Sequence, residues 1–481
     1  MPVRTCTAVK EEKNQMRPLK PAAALGERCV RAGPELCEAL SLPPSLPGDW
    51  KDVFVEALRA RIRRSGSLLL SLESCVRCGA CSAQCHYFLG TGDPMNMPAA
   101  RAGLLRDIAE TCTATGPGAG KSSLEQSDLD LLYTYFYQCS LCGRCTVFCP
   151  FGVETAEITA AARGCLAEVG MIPEYLAHSI LNARKTGNSM GLDASIWKER
   201  AAELQSEIRE EKGMELEIDV DRKGADVLIV ISLHDLADGE TLKGYAAVLH
   251  CSGRSWTLSS RLDSRNFETF ADLRLVGKAG VSLMEVKEEL EAAEVVFGES
   301  GHGFVAALRE AMKSGGLGRG RHDAAYPRHI CQLTADLIRK GRLKLDSSAN
   351  KGCAAALHEP CALARASKVT ADARFCLKSA VESFMEMPVS SVGEYTYCCG
   401  GGGAMMAPEL ANLRSAGALP RMEALKASGA SYLAAPCETC RSAFAESIPR
   451  HRDILNDDVR SGSIHALIYR ALKRCPGGDG L

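Results

Sequence analysis

Thirteen cysteines fall into groups whose spacing suits metal ligation. "CVRCGACSAQC" sets Cys75, Cys78, Cys81 and Cys85 at C-x2-C-x2-C-x3-C, and "CSLCGRCTVFCP" repeats it with Cys139, Cys142, Cys145 and Cys149, followed by Pro150. Three cysteines two residues apart on a tight turn reach three irons of one cubane, and the fourth points away to ligate the other cubane of a pair. Cys149 therefore goes with Cys75, Cys78 and Cys81, and Cys85 goes with Cys139, Cys142 and Cys145. Gly79 and Gly143 hold matching positions where the loop bends most tightly. Zinc ribbons use separated C-x2-C pairs with four ligands per ion; two complete quartets, one closed by proline, fit iron–sulfur instead. His86 follows Cys85 where the second quartet has its proline, and reads as a structural neighbour rather than a ligand.

The third group is stranger. "YTYCCGGGGAMM" (395–406) joins Cys398 and Cys399 to four glycines. Adjacent cysteines rarely bridge each other, because the ring is strained. A glycine run gives up packing and backbone entropy. With Cys361, Cys437 and Cys440, the pair makes five thiols on loops expected at the carboxyl ends of strands, the edge where open α/β sheets bind ligands. A regular cubane takes four thiolates, so five imply a non-standard cluster. The glycines are expected to admit positive φ and to turn backbone N–H groups toward sulfide and thiolate.

These groups need elements to position them. "PAARAGLLRDIAETC" and "DLDLLYTYFYQC", between the quartets, carry apolar residues at helical spacing. A helical two-cluster domain is expected over 49–190, after a flexible tail at 1–48. "WKERAAELQSEIREEKG" reads as a solvated linker helix within 191–222. Beyond it short apolar strands alternate with helices, which argues for parallel sheet covered on both faces. "SLHDLADGE" resembles "ALHEPCALA", pairing His234 with His358 and Asp235 with Glu359, and "VVFGESGHGF" corresponds to "LAAPCETCRS". The chain thus reads as an α+β multidomain protein with a duplicated α/β unit, at 223–345 and 346–475. Only the second unit keeps cluster cysteines. Glu299, Ser300 and His302 of the first are expected to face them. His358 and His302 are candidate proton donors, because both flank the expected cluster loops.

The length of 481 residues, 24% charged residues and net charge of −2 give no footprint for nucleic acid. "TGPGAGKSS" (115–123) misplaces the first glycine of a phosphate loop and follows no strand, so no nucleotide site is expected. No run of 18 apolar residues and no apolar leader is present, so a cytoplasmic protein is expected. The ten remaining cysteines read as small packed residues.

Two ferredoxin quartets followed by C-x36-CC-x37-C-x2-C resemble the heterodisulfide-reductase-related iron–sulfur proteins with a CCG domain. "CHYFLGTGDPMNMPAARAGLLR", "FCPFGVETAEI", "KTGNSMGL", "SWTLSS", "LHEPCALARAS" and "GALPRM" are similar to one branch, the K subunits (DsrK) of the sulfite-reduction-associated membrane complex. The resemblance implies two [4Fe-4S] cubanes and a noncubane [4Fe-4S] cluster on the five CCG cysteines. It implies attachment to the inner face of the membrane through a cytochrome b-type subunit, among further subunits. Electrons would pass to a disulfide or trisulfide on a small sulfur-carrier protein (DsrC). One departure stands out: where that branch has "GECGHAW", this chain has "GESGHGF", with Ser300 in place of cysteine. Rival readings are the iron–sulfur subunit of a 2-hydroxyacid oxidase, which lacks the "GTGDPMNMPAARAGLLR" resemblance, and a pure electron carrier, which sulfur-dependent reoxidation would separate.

Overall fold

The computed structural model describes residues 27–113, 124–263, 282–313 and 326–473. Apolar residues at helical spacing must bury one face, and the first part of the chain does so with helices alone. Trp50–Arg64, Pro98–Thr113, Gln126–Tyr137 and Thr155–Glu168 bring Phe54, Leu58, Leu105, Leu132, Phe136, Ile158 and Leu166 into one core. The quartet loops leave the ends of such helices: Gly66–Ser74 stops at Cys75, and Gln126–Tyr137 is closed by Gln138, just before Cys139. The glycine-rich stretch 115–123 lies outside the described residues.

Two expectations are corrected here. The segment 27–48 is not a flexible tail. Cys29, Cys37 and Leu40 are buried, Ala32 N donates to Ile172 O at 2.9 Å and Glu174 N to Val30 O at 2.9 Å, and the Glu27 carboxylate accepts from Leu413 N at 2.9 Å. The charged composition upstream hid a few apolar anchors that suffice to order the strap. The helix Ala194–Lys212 is likewise no solvated linker. Trp197, Ala201, Leu204 and Ile208 form a buried stripe, and they join the core of the first sheet. Its charges occupy only the outer face.

The rest of the chain is parallel sheet and helix. β1 (Asp219–Val220), β2 (Val227–Val230), β3 (Trp256–Leu258), β4 (Glu294–Phe297) and β5 (Arg328–His329) form one sheet in the order β1-β3-β2-β4-β5. β6 (Ala354–Leu357), β7 (Ser383–Phe384), β8 (Tyr432–Ala434) and β9 (Arg460–Gly462) form another in the order β7-β6-β8-β9. Without β1 the two orders are the same, and all the pairings are parallel. The units meet through equivalent helices: Gly239–Cys251 packs on Ile464–Ala471, and Ile330–Arg339 on Thr370–Ala380. A single apolar core runs through the junction, from Val227 and Ile229 to Leu357 and Ala434. A buried ion network reinforces it: Arg441 of the second unit donates to Glu299 (2.5 Å) and Asp235 of the first. Cys165, Cys331, Cys353 and Cys376 are buried, as small packed residues should be, whereas Cys251 is disulfide-bonded. Among the described residues no helix is long and apolar enough to cross a membrane.

Candidate metal centre

Cys75, Cys78, Cys81, Cys145 and Cys149 line one surface hollow. Cys78 is exposed, as are Val76 and Phe151 on the rim. Cys85, Cys139 and Cys145 lie deeper, around Arg101. Arg101 is 1% exposed. It donates to Tyr135 O (2.9 Å), Gln138 O (3.3 Å) and the Asn96 side chain, and its Nη1 lies 4.0 Å from Cys85 Sγ. A buried guanidinium needs counter-charge. Burial works against its charge, yet Cys139 and Cys85 hold its pKa above the usual value. The site is therefore matched to anionic sulfur, as a thiolate-bound cluster requires.

The five remaining thiols converge. Cys361 follows β6 at the start of a wide helical turn, Ala362–Ser367. Cys437 caps the helix Glu438–Arg450 after β8, with Cys440 in its first turn. Cys398 and Cys399 reach the same place on their loop, and all five are buried around a hollow of about 240 Å³. Their proton affinities are split. Hydrogen bonds from Cys142, Cys361 and Cys399 hold Cys398 well below the usual thiol range. A hydrogen bond from Cys440 brings Cys437 down to about 7. Cys399 is pushed up, first by its hydrogen bond to Cys398. Buried sulfur of mixed protonation, gathered from three loops, is a poor apolar core and a good metal-binding pocket.

The glycine run has a tertiary reason. It threads between these thiols and the second quartet. A Cβ on Gly402 would lie 2.6 Å from Ser140 O, and one on Gly403 (φ +49°) would lie 2.9 Å from Cys139 O. The chain then dives into the helical core through Ala404, Met405, Ala407 and Leu410. This close approach brings Cys142 Sγ, Cys398 Sγ and a ring nitrogen of His86 within 4.8 Å of one another. Ser140 Oγ stands between two of them, 3.4 Å from Cys398 Sγ and 3.0 Å from His86 Nε2. His86 Nδ1 lies 2.8 Å from Gly417 O. Both ring nitrogens thus have partners within the protein, in keeping with a structural neighbour.

His358 is fully buried, edge-on to Phe444 at 4.7 Å. Neither ring nitrogen has a hydrogen-bond partner, and one lies within 4.8 Å of Cys399 and Cys440 sulfur. Burial, then Arg421, drives its pKa well below the usual value, so the ring is neutral. An orphaned polar ring facing sulfur is a further sign that a bound group belongs there. His302 of the first unit reaches the same hollow, with Nε2 3.9 Å from Cys361 Sγ. The expectation for its neighbours is corrected. Glu299 turns away and accepts from His465 N (2.9 Å) and Ser463 Oγ (3.1 Å) as well as from Arg441. Ser300 is buried outside the lining of the hollow; Gly301 takes that place, and a Cβ there would meet Cys437 Sγ at 3.1 Å. The N–H groups and ion pairs at this loop settle its direction, which sequence pairing could not supply.

Residues 71–153 match the 4Fe-4S dicluster domain family and residues 355–445 the cysteine-rich CCG domain family. An Hdr-like menaquinol oxidoreductase iron–sulfur subunit 2 of Archaeoglobus fulgidus is 31% identical over 447 residues, covering 84% of this chain and 80% of that protein. The chain belongs to the Hdr-like iron–sulfur subunit family. Its counterpart in Archaeoglobus profundus is 30% identical over 446 residues, with 83% and 80% covered. One of the subunits of the dihydromethanophenazine:CoB–CoM heterodisulfide reductase of Methanosarcina mazei is 23% identical over 435 residues, with 84% and 95% covered. No solved structure matches the chain. Membership makes it an oxidoreductase subunit with iron–sulfur clusters.

Within this Hdr-like subunit, sequence reasoning passed over the buried arginines. Arg421 is 0% exposed and donates to Ser391 O (3.0 Å), Tyr397 O (3.2 Å) and Thr396 Oγ1 (2.5 Å), fixing the strand that delivers Cys398. Arg163 donates to Cys139 O at 2.6 Å and holds the second quartet loop. The usable signal was arginine on an otherwise apolar helix stripe, as in "GALPRM" and "AAARGCL". Ser140 carried no signal at all.

Proposed function

We propose that this chain is the electron-transfer and catalytic subunit of a membrane-associated Hdr-like complex. Electrons from a quinol-linked cytochrome b-type partner pass through two [4Fe-4S] cubanes to a noncubane [4Fe-4S] cluster. A disulfide or trisulfide on a small sulfur carrier of the DsrC type is reduced there, as in dissimilatory sulfur metabolism. Menaquinol in the names of the Archaeoglobus relatives supports the quinol end, and heterodisulfide in that of the Methanosarcina protein supports the sulfur end.

The carrying observation is the meeting of Cys142 with Cys398. It supports a linear order of sites: the exposed quartet, the deeper quartet, then the five-thiol hollow. Cys75, Cys78, Cys81 and Cys149 would hold the first cubane, Cys139, Cys142, Cys145 and Cys85 the second, and Cys361, Cys398, Cys399, Cys437 and Cys440 the third group. When bound, that third group supplies electrons singly and an iron open to sulfur. The protein excludes water from it by burying all five thiols, and directs electron entry over Ser140. Cleavage of one S–S bond takes up two electrons and two protons, and yields two thiols from a disulfide or a thiol and a hydropersulfide from a trisulfide. The nearness of His302 to Cys361, and of His358 to Cys399 and Cys440, supports these two rings as the proton path to the leaving sulfur.

Iron counting with EPR on anaerobic, fully loaded protein tests this. About twelve irons per chain are expected from the ligand sets; a value near eight would remove the third cluster. Dithionite-reduced protein should be reoxidised by a protein trisulfide.

A further inference from the structure

His358 follows β6, and its backbone N–H donates to Ala434 O of β8 at 2.8 Å. Shape fixes its ring, which stands at 88° to the Phe444 ring with 4.7 Å between centroids. Phe444 and Cys440 are four residues apart on or beside the first turns of the helix Glu438–Arg450, so they share a face, and His358 lies against it. One ring nitrogen of His358, Cys399 Sγ and Cys440 Sγ fall within 4.8 Å of one another, and all three residues are buried. Two donors on one metal ion stand at most two bond lengths apart, about 4.4 Å for a sulfur and a nitrogen ligand. These three donors therefore need little movement to share an iron.

The ring also lacks any competing partner. A neutral imidazole carries one N–H and one lone pair, and buried polar groups are paired with few exceptions. Among the described residues, His358 is the one histidine whose two ring nitrogens are both buried without a hydrogen-bond partner. His86 has a partner at each nitrogen, and so has His465. His234, paired with His358 in the sequence, stands exposed with Nδ1 3.4 Å from Ser442 Oγ.

We propose that His358 is a sixth protein ligand of the third cluster, binding one iron through the nitrogen that faces Cys399 and Cys440. The inference rests on the third cluster of the reading above and adds a residue to its ligand set. Neutral imidazole is a common metal ligand, and unlike a thiolate it brings no negative charge. Where histidines replace cysteines on an iron–sulfur centre, the potential rises. The ring thus biases the third cluster toward accepting electrons from the two all-cysteine cubanes. Ligation uses one nitrogen and leaves the other its N–H, so it does not remove the ring from the proton path.

The test uses the loaded full chain, poised where the third cluster is paramagnetic, and pulsed EPR to read nitrogen coupling. The parent should show a strongly coupled nitrogen whose frequencies shift when histidine carries the heavier nitrogen isotope. His358→Leu should lose that coupling, whereas His234→Leu and His302→Leu should keep it. His358→Cys guards against a leucine variant that fails to load. It should hold the iron of the parent, lose the coupling, and lower the potential of the third cluster in a redox titration, because a thiolate replaces a neutral ring. A third cluster with only the weak coupling of an N–H to sulfur contact would overturn the proposal. So would a strong coupling that survives in His358→Cys or disappears in His302→Leu. Iron of about eight per chain would sink the third cluster itself, and the sixth ligand with it.

Discussion

Gly402→Ala should uncouple the two deeper cluster sites without removing their ligands. The new Cβ would stand 2.6 Å from Ser140 O and 3.3 Å from His302 Cε1. Reaching ordinary contact near 3.4 Å takes a shift of about 0.8 Å, and neither side yields easily. The Ser140 loop is pinned by Arg163 on Cys139 O at 2.6 Å. The glycine strand is pinned by Tyr87 Oη donating to Gly400 O at 2.7 Å, and by Gly400 packed on Arg414 O. Overpacking of this kind costs about 1–3 kcal/mol, or roughly 5- to 150-fold in the population of the closed arrangement. The measurement is rapid-freeze EPR after mixing with dithionite, alongside iron content. Iron should remain near the parent value, reduction of the quartet clusters should be normal, and electron arrival at the five-thiol cluster should slow. Gly66→Ala serves as control, since a Cβ there meets nothing within 4 Å. A Gly402→Ala protein with parental transfer and spectrum would refute the idea that the glycines exist for close approach between the two sites.

Further outcomes follow from the same geometry. Cys149→Ser should abolish the cluster on Cys75, Cys78 and Cys81, not the one on its sequence neighbours, as read by site-resolved EPR. Arg441→Met should destabilise the α/β half by about 3–5 kcal/mol, because Asp235 and Glu299 are left buried without their cation; denaturant unfolding of the loaded protein would report it. Asp235, pushed up to about 6 chiefly by burial, holds its proton longer folded than unfolded. Its proton-linked stabilisation is full below about pH 4 and is lost as pH rises through about 6, so the stability of the parent should fall across that window relative to Asp235→Asn.

The spacing of the two quartets leads to the expectation of a crossed grouping, because three cysteines on one turn point away from a fourth in the same loop. The duplication was legible too: paired His234 and His358, and strand ends of like pattern, correspond to two sheets of the same order. Composition misled at the segment 27–48 and at the helix Ala194–Lys212, where a few anchors such as Cys37 and Trp197 outweigh many surface charges. What no local pattern held was the direction of each loop. Glu299 and Gly301 are two residues apart, yet one joins an ion network and the other touches Cys437. The glycines signalled close approach, but to what was decided by folding the second quartet against them. Spacing fixes which ligands share a turn; only packing fixes which turns share a cluster site, since that depends on backbones more than two hundred residues apart meeting within van der Waals distance.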